Sequence, residues 1–228
     1  MKRFILLTLS PILFLPLVGC TTIVNIDWVD FIKFNDITYL QEKQNISINE
    51  NDLSPYDKVK FKTAENIYEL NYLPKNGHAA YLEAGTHIYS LKDYLPSFRL
   101  VAKRNQDLLM YEADTNPKAK KGGDLLDISG KVVYVSVNSH IDGKTKLGSI
   151  TESAQVNQLV QMILEAPVDQ SLLGTGSKQY FLEFHLKDGT TTKRSYWLDT
   201  GLLQRGIQLP KEFGVEIQAA IDKAQNNL

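Results

Sequence analysis

The stretch QYFLEFHLKDGTTTKRSYWLD, residues 179–199, constrains the fold more than any other part of the chain. Tyr180, Leu182, Phe184 and Leu186 recur at every second position, the period of a strand with one buried face. Asp188-Gly189 then supplies a dipeptide that tolerates the left-handed backbone of a tight hairpin turn. Beyond the turn, Arg194 and Tyr196 project to one side of the returning strand, and Trp197 and Asp199 to the other. The segment predicts an antiparallel hairpin, which needs further strands or a helix to cover its apolar face.

The rest of the chain supplies both. Trp28 to Leu40 reads as one or two strands, with Val29, Phe31, Phe34, Ile37 and Tyr39 in rough alternation. Gln41 to Pro55 is polar and predicts a surface loop, followed by a short amphipathic strand around Val59 and Phe61. HAAYLEAGTHIYSL suggests two strands turning near Ala84-Gly85, and FRLVAKR with DLLMYEA a hairpin around Arg104-Asn105-Gln106. DTNPKAKKGGD (114–124) breaks the pattern. KVVYVSVNS (131–139) places Val133, Val135 and Val137 on one strand face and Val132, Tyr134 and Ser136 on the other.

Two segments have helical periodicity instead. Val156, Leu159, Val160, Ile163 and Leu164 fall on one face of a helix near 152–165, capped by Thr151 or Ser153 and ended before Pro167. Phe213, Ile217, Ala220 and Ile221 do the same for a C-terminal helix near 210–224, with Pro210 suited to its first turn. The order of elements predicts an α+β fold with a mostly antiparallel sheet. The break at 114–124 divides the chain into a β-rich subdomain with its tether (20–124) and an α+β subdomain (125–228).

The N-terminus is of a different character. Lys2 and Arg3 precede Phe4 to Val18, which is uncharged and rich in Leu, Ile and Phe, the pattern of a secretory leader. Leu17-Val18-Gly19-Cys20 then resembles the lipobox of bacterial lipoproteins. The resemblance implies cleavage before Cys20, removing residues 1–19, and a diacylglyceryl group on the only cysteine of the chain. Two or more acyl chains hold a protein stably at a membrane, where one is marginal. An ordinary cleaved leader and a retained membrane helix are the alternatives; Pro11, Pro16 and Gly19 weaken the helix. The lipoprotein reading places the folded body at the outer face of the cytoplasmic membrane.

Charge narrows the partners. Removing Lys2 and Arg3 from 25 basic residues leaves 23 against 26 acidic, a mature charge near −3, so nucleic acid is not an expected partner. His78, His87, His140 and His185 show no metal-ligand spacing, and neither a metal nor a cofactor is expected. Glu183 and His185 share a strand face, which reads as solvated surface. Gly174-Thr175-Gly176-Ser177 is neither a nucleophile elbow nor a phosphate loop and reads as a flexible connection. No catalytic residue emerges. KRSYWLDTGLLQRG (193–206) is the candidate ligand surface: Arg194, Tyr196, Trp197, Asp199 and Arg205 combine aromatic platforms with groups that bind carboxylate, phosphate or sugar. Strand geometry prevents all five from lining one site, and Trp197 favours the core.

LEAGTHIY, YEADTNPKAKKGGDLLDI, FHLKDGT and RSYWLDTG resemble segments of uncharacterised lipoproteins from Gram-positive, bacillus-type bacteria, over most of the mature chain. That resemblance implies a setting and no catalytic set. The expectation is a non-enzymatic binding or interaction module at the cell envelope, its partner the membrane through Cys20 together with an envelope protein or a small molecule. An envelope hydrolase and a ligand receptor of a transporter are the alternatives.

Overall fold

The computed structural model describes residues 26–42, 48–172, 174 and 176–226. Cys20 and the leader, on which the anchor expectation rests, lie outside them. Among the described residues fourteen strands form two sheets and two α-helices accompany them, an α+β fold in which antiparallel pairing dominates.

The first sheet contains β1 (Phe31–Phe34), β2 (Ile37–Gln41), β3 (Leu53–Lys58), β4 (Phe61–Lys62), β5 (His78–Ala79), β6 (His87–Leu91), β7 (Arg99–Arg104) and β8 (Asp107–Thr115). Asn35 and Asp36 join β1 to β2 with φ of 50° and 68°, the left-handed pair that suits a two-residue hairpin. The stretch expected as a loop to Pro55 instead turns through a 3-10 segment, Glu50–Asp52, and enters β3 at Leu53. A bulge between Pro55 and Asp57 disrupts the alternation that marks a strand in the sequence. The single strand expected around Val59 and Phe61 is split between the end of β3 and the start of β4.

The sheet order is β3-β6-β7-β8-β2-β1-β5-β4, with only β4 and β5 parallel. Its two end strands are separated in sequence by Val59 and Lys60 alone, so the sheet curls until both edges belong to one run of chain. Ile32, Tyr39, Val59, Ile88, Leu100 and Tyr111 fill the enclosed barrel core.

The second sheet has the order β10-β9-β11-β12-β13-β14 and is antiparallel throughout. Its strands are β9 (Val132–Ser139), β10 (Lys146–Ile150), β11 (Gln179–Leu186), β12 (Thr191–Trp197), β13 (Leu202–Leu203) and β14 (Ile207–Gln208). Helices α1 (Ser153–Glu165) and α2 (Lys211–Gln225) cover one face. Val156, Leu159 and Ile163 of α1 and Phe213 and Ile217 of α2 pack with Val135, Val137, Leu182 and Phe184. Glu152 stands at the α1 N-cap without a side-chain cap bond, so neither Thr151 nor Ser153 caps it. Pro210 stands one step before the first turn of α2. That helix lies close to β10: a methyl group on Gly148 would come within 2.6 Å of the Ala220 carbonyl oxygen.

Val133 departs from its expected face. Leu186 pairs with Val132 and His185 with Tyr134, so Val133 is the extra residue of a bulge, and it is 50% exposed while Val135 and Val137 are buried. Among the described residues no helix is long and apolar enough to cross a membrane.

The two sheets meet along β8 and β12. Leu109, Tyr111 and Ala113 of β8 turn into the barrel. Glu112 and Asp114 leave on the opposite face and meet Thr192 and Arg194 of β12 and Arg205 beyond it.

Candidate functional site

The joint between the sheets is polar and buried. Arg99 is fully buried and Glu112 is 2% exposed. The Arg99 Nε and Nη2 donate to Glu112 Oε1 at 2.9 and 2.6 Å, and its Nη1 donates to Thr190 Oγ1 at 2.7 Å. Glu112 Oε2 accepts from Thr192 Oγ1 at 2.7 Å and from both terminal nitrogens of Arg194 at 3.3 Å. One carboxylate therefore serves two guanidinium groups. The second countercharge is Asp188, whose Oδ2 lies 3.8 Å from Arg99 Nη1. Buried charges persist only when paired and fully hydrogen-bonded, and here nearly every donor has an acceptor.

Asp188 and Thr190 link this joint to a cavity of about 440 Å³ between the barrel and the tip of the β11–β12 hairpin. Lys92, Lys131, Lys187, Asp52, Asp93 and Asp188 supply its charges, and Leu91 and Met110 its apolar wall. Tyr94 is the fixed centre of the site. Its hydroxyl donates to Asp188 Oδ2 at 2.7 Å, and its ring carries Arg99 at 4.6 Å and Lys131 at 4.7 Å from the centroid. Burial raises the Tyr94 pKa, and the bond to Asp188 adds to that. Burial also acts to raise the Asp188 carboxyl, but the bonds from Tyr94 and Thr190 and the Arg99 charge outweigh it and hold Asp188 below the usual range. Lys131 is tied to Asp127 at 2.6 Å, and Lys92 sits 3.9 Å from Asp52. Lys187 and Asp93 have no ion-pair partner among the described residues. Asp93 is held at φ 67° in the turn after β6.

The five sequence candidates are dispersed. Arg194 is buried in the joint on Glu112. Arg205 is bound to Asp114, its Nε at 2.7 Å from Oδ1 and its Nη2 on the same oxygen. Trp197 is half-buried on the face away from the helices instead of in the core, with Gly174 against its ring. Only Tyr196 and Asp199 come together, in a groove of about 400 Å³ at the start of α2 with Lys211, Thr200 and Gln208. Asp199 accepts from the Ser177 amide at 2.7 Å and hydroxyl at 3.1 Å, and these bonds, the amide's first, lower its pKa. Tyr196 is fully buried, its ring edge-on to Phe213 at 5.3 Å, and its hydroxyl has no hydrogen-bond partner among the described residues. Burial pushes that hydroxyl up to about 12.

On the outer face of the second sheet His185 Nε2 lies 2.9 Å from Ser136 Oγ and the ring stacks on Tyr134 at 3.9 Å. Glu183 accepts from Asn138 at 2.8 Å and faces Lys193 at 3.7 Å. Burial lowers the His185 pKa. Neither cavity reaches this Ser–His pair. Among the described residues no group of three or more His, Cys, Asp or Glu side chains is placed to hold a metal ion.

The residues around the junction cavity were not singled out by the sequence. The available signal was a charge inside an apolar run, Arg99 in FRLVA and Glu112 in LLMYEA, since such a charge must find a buried partner. Comparison of the chain with known protein families, with curated proteins and with solved structures finds no match.

Proposed function

We propose that the protein is a lipid-anchored lipoprotein of the cell envelope, held through Cys20 at the outer face of the cytoplasmic membrane, and that its body binds a small molecule in the junction cavity. The address is supported by the Leu17-Val18-Gly19-Cys20 motif after an uncharged leader. The binding reading is carried by one observation: Lys187 and Asp93, without ion-pair partners among the described residues, line a cavity together with Asp188 and Thr190, which are held by Tyr94 and by the buried Arg99. A volume of about 440 Å³ falls in the range of small-molecule sites. Opposite charges on its wall suit a zwitterion, an amino acid or short peptide, whose carboxylate would meet Lys187 and whose ammonium would meet Asp93.

Thermal unfolding in the presence of free amino acids and di- and tripeptides tests this. At least one such ligand raises the Tm of the wild type, and the rise is lost in Lys187→Ala and in Asp93→Ala. A Tm that no member of the set moves, or that moves equally in both variants, counts against the cavity as a binding site. Mass spectrometry of the membrane-extracted protein tests the anchor separately, through the acyl mass on an N-terminal Cys20.

A further inference from the structure

We infer that the β4–β5 end of the barrel rests on the bilayer surface, with Leu70 and Leu73 seated at the boundary between headgroups and acyl chains. The inference rests on the anchored reading above and extends it from the tether to the folded body.

The surface in question is apolar where it has no structural need to be. Leu70 is 77% exposed, Leu73 81% and Val29 67%. Scattered apolar side chains are normal on a surface, but these three flank one aromatic cluster. Trp28 lies edge-on to Tyr72 at 6.3 Å and contacts Phe31 at 5.9 Å. Tyr81 donates its hydroxyl proton to the Trp28 carbonyl at 2.6 Å, and the Tyr72 hydroxyl bonds His78 Nδ1 at 2.7 Å. The segment carrying both leucines is thus pinned to the start of the folded chain through Trp28 and Tyr72. Tryptophan and tyrosine beside exposed leucines form the pattern that membrane interfaces favour, an apolar body with a polar rim.

The tether selects the bilayer as occupant. Trp28 follows Cys20 by eight residues, at most about 28 Å of fully extended chain. An acylated Cys20 would hold Trp28, and with it this end of the barrel, within that reach of the headgroups. Such a short linker gives an effective concentration in the millimolar range, so a weak interfacial affinity is enough to keep the surface seated.

Charge contributes a smaller share. Lys33, Lys60 and Lys75 surround the turn at Gly77, which donates to the Lys33 carbonyl and accepts from the Lys60 amide. Asp27 adjoins Trp28 in the chain, and the Glu69 carbonyl accepts from the Tyr72 amide, so acidic residues accompany the same segments. The contact should therefore depend on the leucines and aromatics first and on anionic lipid second.

The experiment uses the full chain reconstituted in vesicles of phosphatidylcholine and phosphatidylglycerol. Trp197→Phe leaves Trp28 as the only indole, because the chain has two tryptophans. With lipids brominated near the headgroup, Trp28 emission falls by about half, as expected for a side chain held at the interface. Leu70→Asp/Leu73→Asp restores the emission without changing the acyl mass on Cys20 or the Tm, since both leucines are exposed. An acylated protein whose Trp28 is not quenched overturns the seat and leaves the anchor standing. Absence of acyl mass overturns the anchor. The seat is then decided by adding vesicles to the unacylated chain, where quenching sustains it and none overturns it. Sedimentation of the detergent-solubilised protein as a dimer that Leu70→Asp/Leu73→Asp dissociates would overturn the seat in favour of a second copy as occupant.

Discussion

Tyr196→Phe should make the protein more stable. The Tyr196 side chain is fully buried, packed against Phe213 and facing the first turns of α2, and its hydroxyl is the one buried side-chain polar atom without a partner among the described residues. Removing that oxygen leaves the ring and its contacts in place. What is lost is the desolvation of an unsatisfied group, which destabilises a folded state by about 1–3 kcal/mol. Taking the lower end, because the hydroxyl borders a groove, the gain is about 1 kcal/mol. For a chain of this length that corresponds to a rise in Tm of about 2–4 °C. Urea unfolding followed by circular dichroism measures it directly: the midpoint should rise while the slope stays constant, as it does when stability alone changes. A loss of about 1 kcal/mol would refute the reasoning, because it would mean that the hydroxyl makes a net stabilising hydrogen bond.

Three further outcomes follow from the same geometry. Glu112→Gln leaves Arg194 without a countercharge and Arg99 with only the more distant Asp188, and should cost about 3–5 kcal/mol in denaturant melts; a loss below about 1 kcal/mol would show that the joint is hydrated. Gly148→Ala puts a methyl group 2.6 Å from the Ala220 carbonyl, so α2 must shift. The expected penalty is about 1–3 kcal/mol, with faster hydrogen exchange in α2 than in the barrel. Burial lowers the pKa of His78 and His185 from 6.5, so the unfolded chain binds more protons than the folded one as pH falls. Stability should be level above about pH 6.5 and decline towards pH 5, and His185→Asn should flatten part of that decline.

How much of this was legible depended on how local the signal was. The β11–β12 hairpin, the β7–β8 hairpin and the buried faces of α1 and α2 follow from spacing within a dozen residues, and the structure has them. The opposed directions of Arg194 and Trp197 were also readable, but which of the two faced inward was not. The sequence favoured the tryptophan, and the structure buries the arginine because Glu112, 82 residues away, is there to meet it. Val133 was placed on the wrong face because a bulge adds a residue to β9 without a glycine or proline to mark it. The barrel closure was invisible for a related reason: β3 and β4 are one stretch of chain that pairs with two distant strands, and nothing local records either pairing. The junction cavity is harder still, since its walls come from residues 48–52, 91–94, 110, 131 and 187–190. Asp188 was read as a turn residue, and its bond to Tyr94 spans 94 positions.

The shared carboxylate of Glu112 has an evolutionary consequence. Its two arginines come from opposite sides of the joint: Arg99 stands beside it in the barrel, and Arg194 reaches it from the other half, which holds no carboxylate bonded to Arg194 among the described residues. A barrel transplanted onto another partner would bring an acid that expects a second base, and the α+β half would bring Arg194 with nothing to neutralise it. The two halves are therefore poor candidates for shuffling as independent modules, and changes at 99, 112, 188 and 194 should be inherited together.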